Sequence, residues 1–215
     1  MKNGFPLKRT LVSVAVAICL AGCANSPTAR FYTLTPIASQ EAKGSSGAAV
    51  NPVSISIAPV EIPDYLDRPQ IVTRGGRNEL RLAEFDRWAG SLSNNIAAVL
   101  AENLGLLMGT ERVFVYPRMS GEKADYSLAL RLLRLDCVLG DQVLIKAQWT
   151  LLAGSDRKDV ATRVMTLSEK LNDRQYQTMA AAISSALGEV SREIARVIID
   201  LQKETTAKPS AQVTP

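Results

Sequence analysis

The stretch DYSLALRLLRLDCVLGDQVLIKAQWTLL, residues 125–152, carries the strongest structural signal in this chain. Its two halves alternate apolar and polar residues and are joined by Gly140-Asp141, which predicts a long antiparallel hairpin. The alternation changes phase within the first half: Tyr126, Leu128, Leu130 and Leu132 share one face, and Leu133, Leu135 and Cys137 share the other. We expect a β-bulge or a bend near Leu132, because either would bring both sets to the same side of the sheet.

Shorter strand-like segments lie on both sides of this hairpin. Residues 154–158 predict a turn into a further strand through Leu167, which would complete a meander. Upstream, Val113–Tyr116 is a short strand ended by Pro117, and Phe31–Leu34 is a strand-like piece near the N-terminus.

Two more strands and a second hairpin are predicted between residues 53 and 82. Val53–Ile57 alternates Val and Ile with Ser, which is typical of a half-buried strand, and Pro59 ends it. Ile71–Arg74 and Glu79–Leu82 flank Gly75–Asn78, which predicts a hairpin whose glycine-containing turn can take positive φ.

The apolar period changes to that of a helix from Arg87 onward. We predict that Asp86 caps this helix and that Gly109 ends it. Its apolar face consists of Trp88, Leu92, Ile96, Val99, Leu100, Leu104 and Leu107. Trp88 is interpreted as a core residue rather than an interface residue.

A second amphipathic helix follows Asp173, its predicted cap. The apolar residues recur in steps of four and three: Tyr176, Ala180, Ile183, Leu187, Val190, Ile194, Val197 and Leu201. Beside a sheet, such a stripe favours a face packed on the core over a coiled-coil or partner-helix surface. Together, the predicted strands and helices indicate an α+β domain in which two amphipathic helices pack on a largely antiparallel sheet.

The N-terminus has the layout of a secretory signal, with basic residues before an apolar run at 11–20. About ten residues are too few to cross a hydrocarbon core about 30 Å thick. Leu20-Ala21-Gly22-Cys23 closes this run and resembles the lipobox of bacterial lipoproteins. The alternative is an ordinary cleaved secretory protein.

The resemblance to a lipobox implies that Cys23 becomes the mature N-terminus and carries a thioether-linked diacylglycerol and an N-acyl chain. Three acyl chains would hold the protein to a membrane. Ala24 stands where inner-membrane lipoproteins usually carry Asp, so the resemblance implies the periplasmic face of the outer membrane.

These observations divide the chain into four parts. Residues 1–22 form a signal peptide, and 23–52 contain the lipid anchor, a short strand and a linker or mobile loop at Pro36–Pro52. Residues 53–203 form the α+β domain, and 204–215 are expected to be disordered.

Composition excludes several classes of function. Removal of residues 1–22 takes three of the 25 basic residues, so 22 remain against 21 acidic ones. The resulting net charge of +1 does not indicate nucleic-acid binding. The chain contains no histidine, which removes the commonest general base and metal ligand. It also lacks a Walker-type or GxGxxG motif. We therefore expect no enzyme activity, no metal and no cofactor beyond the lipid on Cys23.

The remaining reactive side chains have ordinary interpretations. The pairs Asp64 with Asp67 and Glu84 with Asp86 favour capping, turn and salt-bridge roles. Cys137 is the only cysteine left after the signal and the lipidation site, so no intramolecular disulfide is possible, and a buried apolar role is favoured over a reactive thiol.

Three segments carry a resemblance to a known family. They are Phe31–Leu34 soon after the anchor, Ile57–Val72 with its core Pro63-Asp64-Tyr65-Leu66-Asp67-Arg68-Pro69, and Arg87-Trp88, which we expect to open the first helix. Together they resemble the ABC-type transport auxiliary lipoproteins, the PqiC and YmbA-like family, over about residues 30–203. The resemblance implies a non-catalytic outer-membrane lipoprotein that partners the periplasmic MCE-domain protein of an intermembrane lipid transport system.

The loop also contains the candidate partner contacts, Tyr65, Leu66 and Arg68. Pro63 and Pro69 restrict its backbone, which lowers the cost of ordering it, and Tyr and Arg are common hot-spot residues. In the alternative interpretation, Tyr65 and Leu66 fill the sheet edge and Arg68 pairs with a neighbouring aspartate.

Two other functions remain open on the sequence alone. The domain could carry lipid as a monomeric shuttle, although no surplus concave apolar set is visible. It could also assemble with itself as a structural envelope lipoprotein, since an edge strand or the long helix permits a homo-oligomer. An enzyme acting on the envelope is disfavoured because histidine and catalytic motifs are missing.

Overall fold

A computed structural model describes residues 28–38, 53–116, 124–154 and 156–207. The chain divides into two units, residues 1–30 and 31–215, and only residues 28–30 of the first are described. The predicted signal peptide, Cys23, most of the predicted linker and residues 208–215 lie outside the described residues. The folded domain belongs to the second unit.

The described residues form an α+β domain with two sheets, which confirms the predicted fold class. The strands are β1 Arg30–Tyr32, β2 Ile55–Ile57, β3 Gln70–Gly76, β4 Glu79–Trp88, β5 Val113–Val115, β6 Tyr126–Val138, β7 Gln142–Ala153 and β8 Lys158–Lys170. The helices are a 3-10 turn at Asp64–Leu66, α1 Leu92–Met108 and α2 Tyr176–Ala207. The strand orders are β1-β4-β3 and β5-β2-β6-β7-β8.

The meander β6-β7-β8 is antiparallel throughout and contains the predicted bulge. The β6–β7 register passes from Leu132 opposite Ala147 to Arg134 opposite Lys146, so Leu133 is the extra residue. As a result Leu128, Leu130, Leu132, Leu135 and Cys137 are buried on the core side. Leu133, which was predicted to join them, is itself the bulged residue and is 38% exposed. Trp149 on β7 is fully buried.

Strand β2 differs from its prediction. It pairs in parallel with both β5 and β6, with Ile55 opposite Val113 on one side and Tyr126 on the other. Ser54 just before it is as fully buried as Ile55, so the segment is not half-buried. The reason is its position between two strands, which short-range alternation does not reveal.

The first helix begins later than predicted. Arg87-Trp88 does not open it, because β4 continues through Trp88, whose N–H donates to the carbonyl of Pro69 at 2.8 Å. Ser91, rather than Asp86, is the N-cap of α1. The carboxylate of Asp86 instead accepts a hydrogen bond from the hydroxyl of Tyr32 at 2.7 Å. The helix ends at Gly109 as predicted, with left-handed φ of 62°.

Helix α2 confirms the core-facing interpretation of the apolar stripe. Its buried members are Ala180, Ile183, Leu187, Val190, Ile194 and Val197. The helix packs against α1, β7 and β8. It continues through Ala207, so residues 204–207 are helical rather than part of a disordered tail.

The segment 34–37 lies on the two helices, which corrects the predicted start of the linker at Pro36. The backbone N–H of Ile37 donates to Asn103 Oδ1 at 2.8 Å, and the amide of Asn103 donates to Ser191 Oγ at 3.1 Å. Leu34 and Ile37 are both buried. The folded domain therefore begins well before Val53.

Candidate partner-binding loop

The loop between β2 and β3 is attached to β6 at its base. Ala58 N–H donates to the carbonyl of Leu128 at 2.8 Å, Glu61 N–H donates to that of Leu130 at 3.1 Å, and Leu132 N–H donates back to Glu61 at 2.8 Å. The carboxylate of Glu61 also pairs with Arg131 at 2.6 Å. This part of the loop thus extends the parallel ladder of β2 and has a defined position.

The rest of the loop is shaped by two tight turns. Leu66 N–H donates to the carbonyl of Pro63 at 2.9 Å in the 3-10 turn. Asp67 has φ −79° and ψ 67°, and Arg68 N–H donates to the carbonyl of Leu66 at 2.8 Å, which is an inverse γ-turn. The backbone therefore presents its side chains from a defined conformation, as expected from Pro63 and Pro69.

The three candidate contact residues have different environments. Leu66 is buried with 3% of its surface exposed, and it packs in the core. Tyr65 is half-buried, with its hydroxyl 3.5 Å from the carbonyl of Leu135. Arg68 is exposed, and within the described residues no carboxylate lies within salt-bridge distance of it, so the pairing with Asp64 or Asp67 is not formed. Leu66 thus has the structural role of the alternative interpretation, and Arg68 is accessible to a partner. Contact with a partner stays a prediction for all three.

The structure brings the distant parts of the sequence motif together. Gln70 lies opposite Arg87 in the β3–β4 ladder, next to the hydrogen bond between Trp88 and Pro69. Trp88 is 5% exposed, which confirms its predicted core role. The end of the loop is therefore fixed by the end of β4.

The described part of the chain has few side chains suited to catalysis or metal binding. The pKa of the Cys137 thiol is raised to about 12, mainly by burial and to a smaller extent by the negative charge of Asp136. The thiol therefore stays protonated. No group of three or more His, Cys, Asp or Glu side chains in the described segments is placed to hold a metal ion. Asp86 is buried against Tyr32, and Glu84 is exposed on β4.

Sequence reasoning missed one charged group. Arg74 Nε lies 2.7 Å from Asp136 Oδ1, and Arg134 pairs with the other oxygen of the same carboxylate. Arg77 lies in the adjacent β3–β4 turn, beside the same cleft. The signal in the sequence was the density of arginines around that turn, together with Arg134 and Asp136 two residues apart on one face of a strand.

The comparisons with known proteins bear on the family and the fold. The family model described as "ABC-type transport auxiliary lipoprotein component" matches residues 32–195. No curated protein matches the chain. In the described part of the chain, no helix combines the length and apolarity needed to cross a membrane.

Two solved structures are similar along most of the chain. One is a protein of Xanthomonas campestris from the DUF330 family, with 20% identity, a TM-score of 0.63, and coverage of 82% of this chain and 99% of that one. The other is an uncharacterized protein with 19% identity, a TM-score of 0.64, and coverage of 80% and 99% respectively. At these identities the likeness concerns the fold alone.

Proposed function

The chain belongs to the family of ABC-type transport auxiliary lipoprotein components, and we therefore propose that it serves an intermembrane lipid transport system. In this role it is a non-catalytic subunit that is anchored to the outer membrane and docks on the periplasmic MCE-domain protein. Family membership supports the transport role. The observation that supports docking through the loop is Arg68, which is exposed, has no ionic partner among the described residues and lies on a backbone fixed by two turns. A pre-organised loop loses little conformational entropy when a partner binds.

The anchor in this proposal is the lipid on Cys23. Only seven residues, 24–30, separate Cys23 from Phe31, where the folded unit begins. Fully extended, they reach about 25 Å. A domain tethered in this way stays close to the membrane and meets partners there at raised local concentration.

The docking proposal is tested by photocrosslinking in cells that carry the full-length protein. A photoreactive amino acid at position 68 is expected to crosslink to the MCE-domain protein, and the same amino acid at position 158, at the exposed start of β8, is expected to give none. Mass spectrometry identifies the product. Equal recovery from both positions, or recovery of other proteins only, would overturn docking through this loop.

A pair of substitutions separates contact from packing. We expect Arg68→Ala to weaken partner capture at an unchanged melting temperature, because Arg68 is exposed and has no described ionic partner. Leu66→Ala should lower the melting temperature because Leu66 is buried. If Arg68→Ala and Tyr65→Ala both keep full capture, the interface is elsewhere.

The anchor is tested separately by fractionation. Cys23→Ala should release the protein from membranes, and Ala24→Asp should move it from the outer to the inner membrane. Membrane retention of Cys23→Ala would contradict the lipid anchor.

The position of β8 favours self-assembly as a second candidate. Among the described strands β5 and β8 are the two edges of the five-stranded sheet, and β8 is the longer, with 13 residues that leave one side of the backbone without a strand partner. Native mass spectrometry of the detergent-solubilised protein distinguishes the possibilities: a defined multimer supports self-assembly, and a monomer with stoichiometric phospholipid supports the lipid-shuttle alternative.

A further inference from the structure

A cleft of about 280 Å³ lies between the turn of the β3–β4 hairpin and the β6–β7 hairpin. Its walls include Arg74, Arg77, Arg134, Asp136, Val138 and Leu144. The cleft lies on the side of β6 opposite the core, because Leu135 and Cys137, which alternate with its lining residues, are buried. It is separate from the loop that carries Arg68.

The cleft has an excess of positive charge. Arg74 and Arg134 each pair with one oxygen of Asp136, so both carboxylate oxygens are already engaged. No acidic side chain of the described residues pairs with Arg77, and the nearby Glu79 is neutralised by Arg81 at 3.0 Å. Three guanidinium groups against one carboxylate leave a net charge of +2.

The arginines differ in how firmly they are held. The side chain of Asp136 is only 8% exposed and that of Arg74 23%, so this ion pair forms the rigid base of the cleft. The side chain of Arg134 is 54% exposed, and its ion pair uses Nε and Nη2, which leaves Nη1 for a ligand. A guanidinium oriented by a carboxylate loses little freedom when it binds an anion.

Apolar side chains continue from the cleft along the hairpin. Leu80 lies opposite Arg74 in the β3–β4 register and Leu82 opposite Val72, so all four side chains share one face of the hairpin. Leu80 is 36% exposed and Leu82 50%; neither lines the cleft itself, and Leu80 is placed next to it by its pairing with Arg74. The site therefore combines an anion-binding end with an apolar surface.

We propose that this cleft binds a phosphate group, and that the apolar body of an anionic phospholipid rests on Leu80 and Leu82. Phosphate oxygens match the forked N–H groups of arginine, and the net +2 of the cleft more than offsets the single negative charge of a phosphodiester. The apolar surface selects a phospholipid over a soluble phosphate ester. The proposal stands independently of docking through Arg68.

The test uses the full-length protein in a non-ionic detergent free of phosphate, titrated with inorganic phosphate and with dihexanoyl phosphatidylglycerol by calorimetry. We expect saturable binding of both, with the lipid tighter. Arg77→Gln and Arg134→Gln should each weaken both ligands by about tenfold, because each removes charge-assisted hydrogen bonds. Arg157→Asn, at the turn on the opposite end of β7, is the matched control and should bind normally; asparagine also tolerates its φ of 54°.

Changes in the apolar surface identify the source of the phosphate. The double variant Leu80→Ser with Leu82→Ser should keep inorganic phosphate binding and lose the preference for lipid. If phosphate binds and the lipid is no tighter in the unchanged protein, a soluble phosphate ester is the ligand and the apolar part of the proposal is wrong. If neither ligand binds, or if Arg157→Asn weakens binding as much as Arg77→Gln, the proposed site is overturned.

Discussion

The two hairpins β6–β7 and β3–β4 have the same antiparallel architecture but opposite relations to the core. In β6–β7 the alternating apolar residues, such as Leu130 and Trp149, are almost completely buried. In β3–β4, Leu80 and Leu82 alternate just as regularly and remain exposed. The difference lies in their surroundings, because α2 packs on β7 whereas neither α1 nor α2 has more than marginal contact with β4. An alternating pattern thus predicts a strand, and its position in the domain decides whether the apolar face is core or surface.

The turns of the two hairpins also differ, in the backbone conformation of their glycines. Gly140 in the β6–β7 turn has φ of 81°, which favours glycine. The turn of β3–β4 does not use the positive φ that its glycines allow, since neither Gly75 nor Gly76 has positive φ. A Cβ at Gly75 would lie 2.5 Å from Arg81 Nε and 2.7 Å from Glu79 Oε1. A side chain at this position would therefore have to displace the ion pair between Glu79 and Arg81, whose side chains are both more than half exposed. The sequence does not reveal this close approach.

The largest difference between the hairpins is expected from Trp149→Ala. Trp149 is fully buried, so its truncation should lower the free energy of unfolding by about 3–5 kcal/mol. Leu82→Ala, at a half-exposed position of the other hairpin, should change it by less than about 0.5 kcal/mol. Urea unfolding measures both, and similar losses would contradict the contrast in burial.

Asp136→Asn tests the contact that joins the hairpins. Asp136 accepts hydrogen bonds from Arg74 on β3 and Arg134 on β6, and its side chain is 8% exposed. We expect a loss of about 1.5–3 kcal/mol in unfolding free energy, because two guanidinium groups lose their shared carboxylate. The control is Glu79→Gln, whose ion pair is more than half exposed and should contribute less than about 1 kcal/mol. Equal losses would show that the hairpins are held together by other contacts.

Asp125→Asn tests the base of β6. The carboxylate accepts hydrogen bonds of 2.7 Å from both N–H and Oγ of Ser54. Burial raises the pKa of Asp125, but these hydrogen bonds and the charge of Arg112 outweigh it and hold the pKa below 3.8. The stability that the carboxylate contributes is therefore present above about pH 4 and lost as the pH falls through the pKa of the folded state.

Asp125 is exposed to solvent, which weakens these interactions, so we expect Asp125→Asn to cost no more than about 1 kcal/mol at pH 7 and progressively less in acid. Urea unfolding at several pH values measures this dependence. Asp200→Asn, at a carboxylate 60% exposed, is the control and should show little effect at any pH. A cost for Asp125→Asn that stays constant down to about pH 2 would mean that its ionised form is not stabilised by folding.

The smallest effect is expected from Arg77→Gln, at the tip of the exposed hairpin. Arg77 is exposed and pairs with no acid of the described chain, so the unfolding free energy should change by less than about 0.5 kcal/mol. The same urea experiment checks this value. A loss above about 1 kcal/mol would show that the residue stabilises the turn rather than remaining available for a ligand.

Elements whose signal is local and repeated could be predicted from the amino-acid sequence. The steps of four and three in α2, the phase change around Leu132 and the stop at Gly109 each follow from helix or strand geometry within a few residues. They predicted the meander, its bulge, the helix end and the core-facing stripe, and hence the α+β class. The motif between Pro63 and Pro69, with Arg87-Trp88, predicted the family.

Features that depend on partners distant in the chain became visible in the folded domain alone. Arg87-Trp88 completes a strand because Pro69 lies beside it, β2 is parallel because β5 and β6 lie on its two sides, and Ile37 is fixed by Asn103. The cleft lined by Arg74, Arg77 and Arg134 likewise forms where β3 meets β6. Its ion pair joins Arg74 and Asp136, which are 62 positions apart in the chain. Periodicity reports which face of an element is apolar, whereas long-range hydrogen bonds and ion pairs depend on which elements become neighbours.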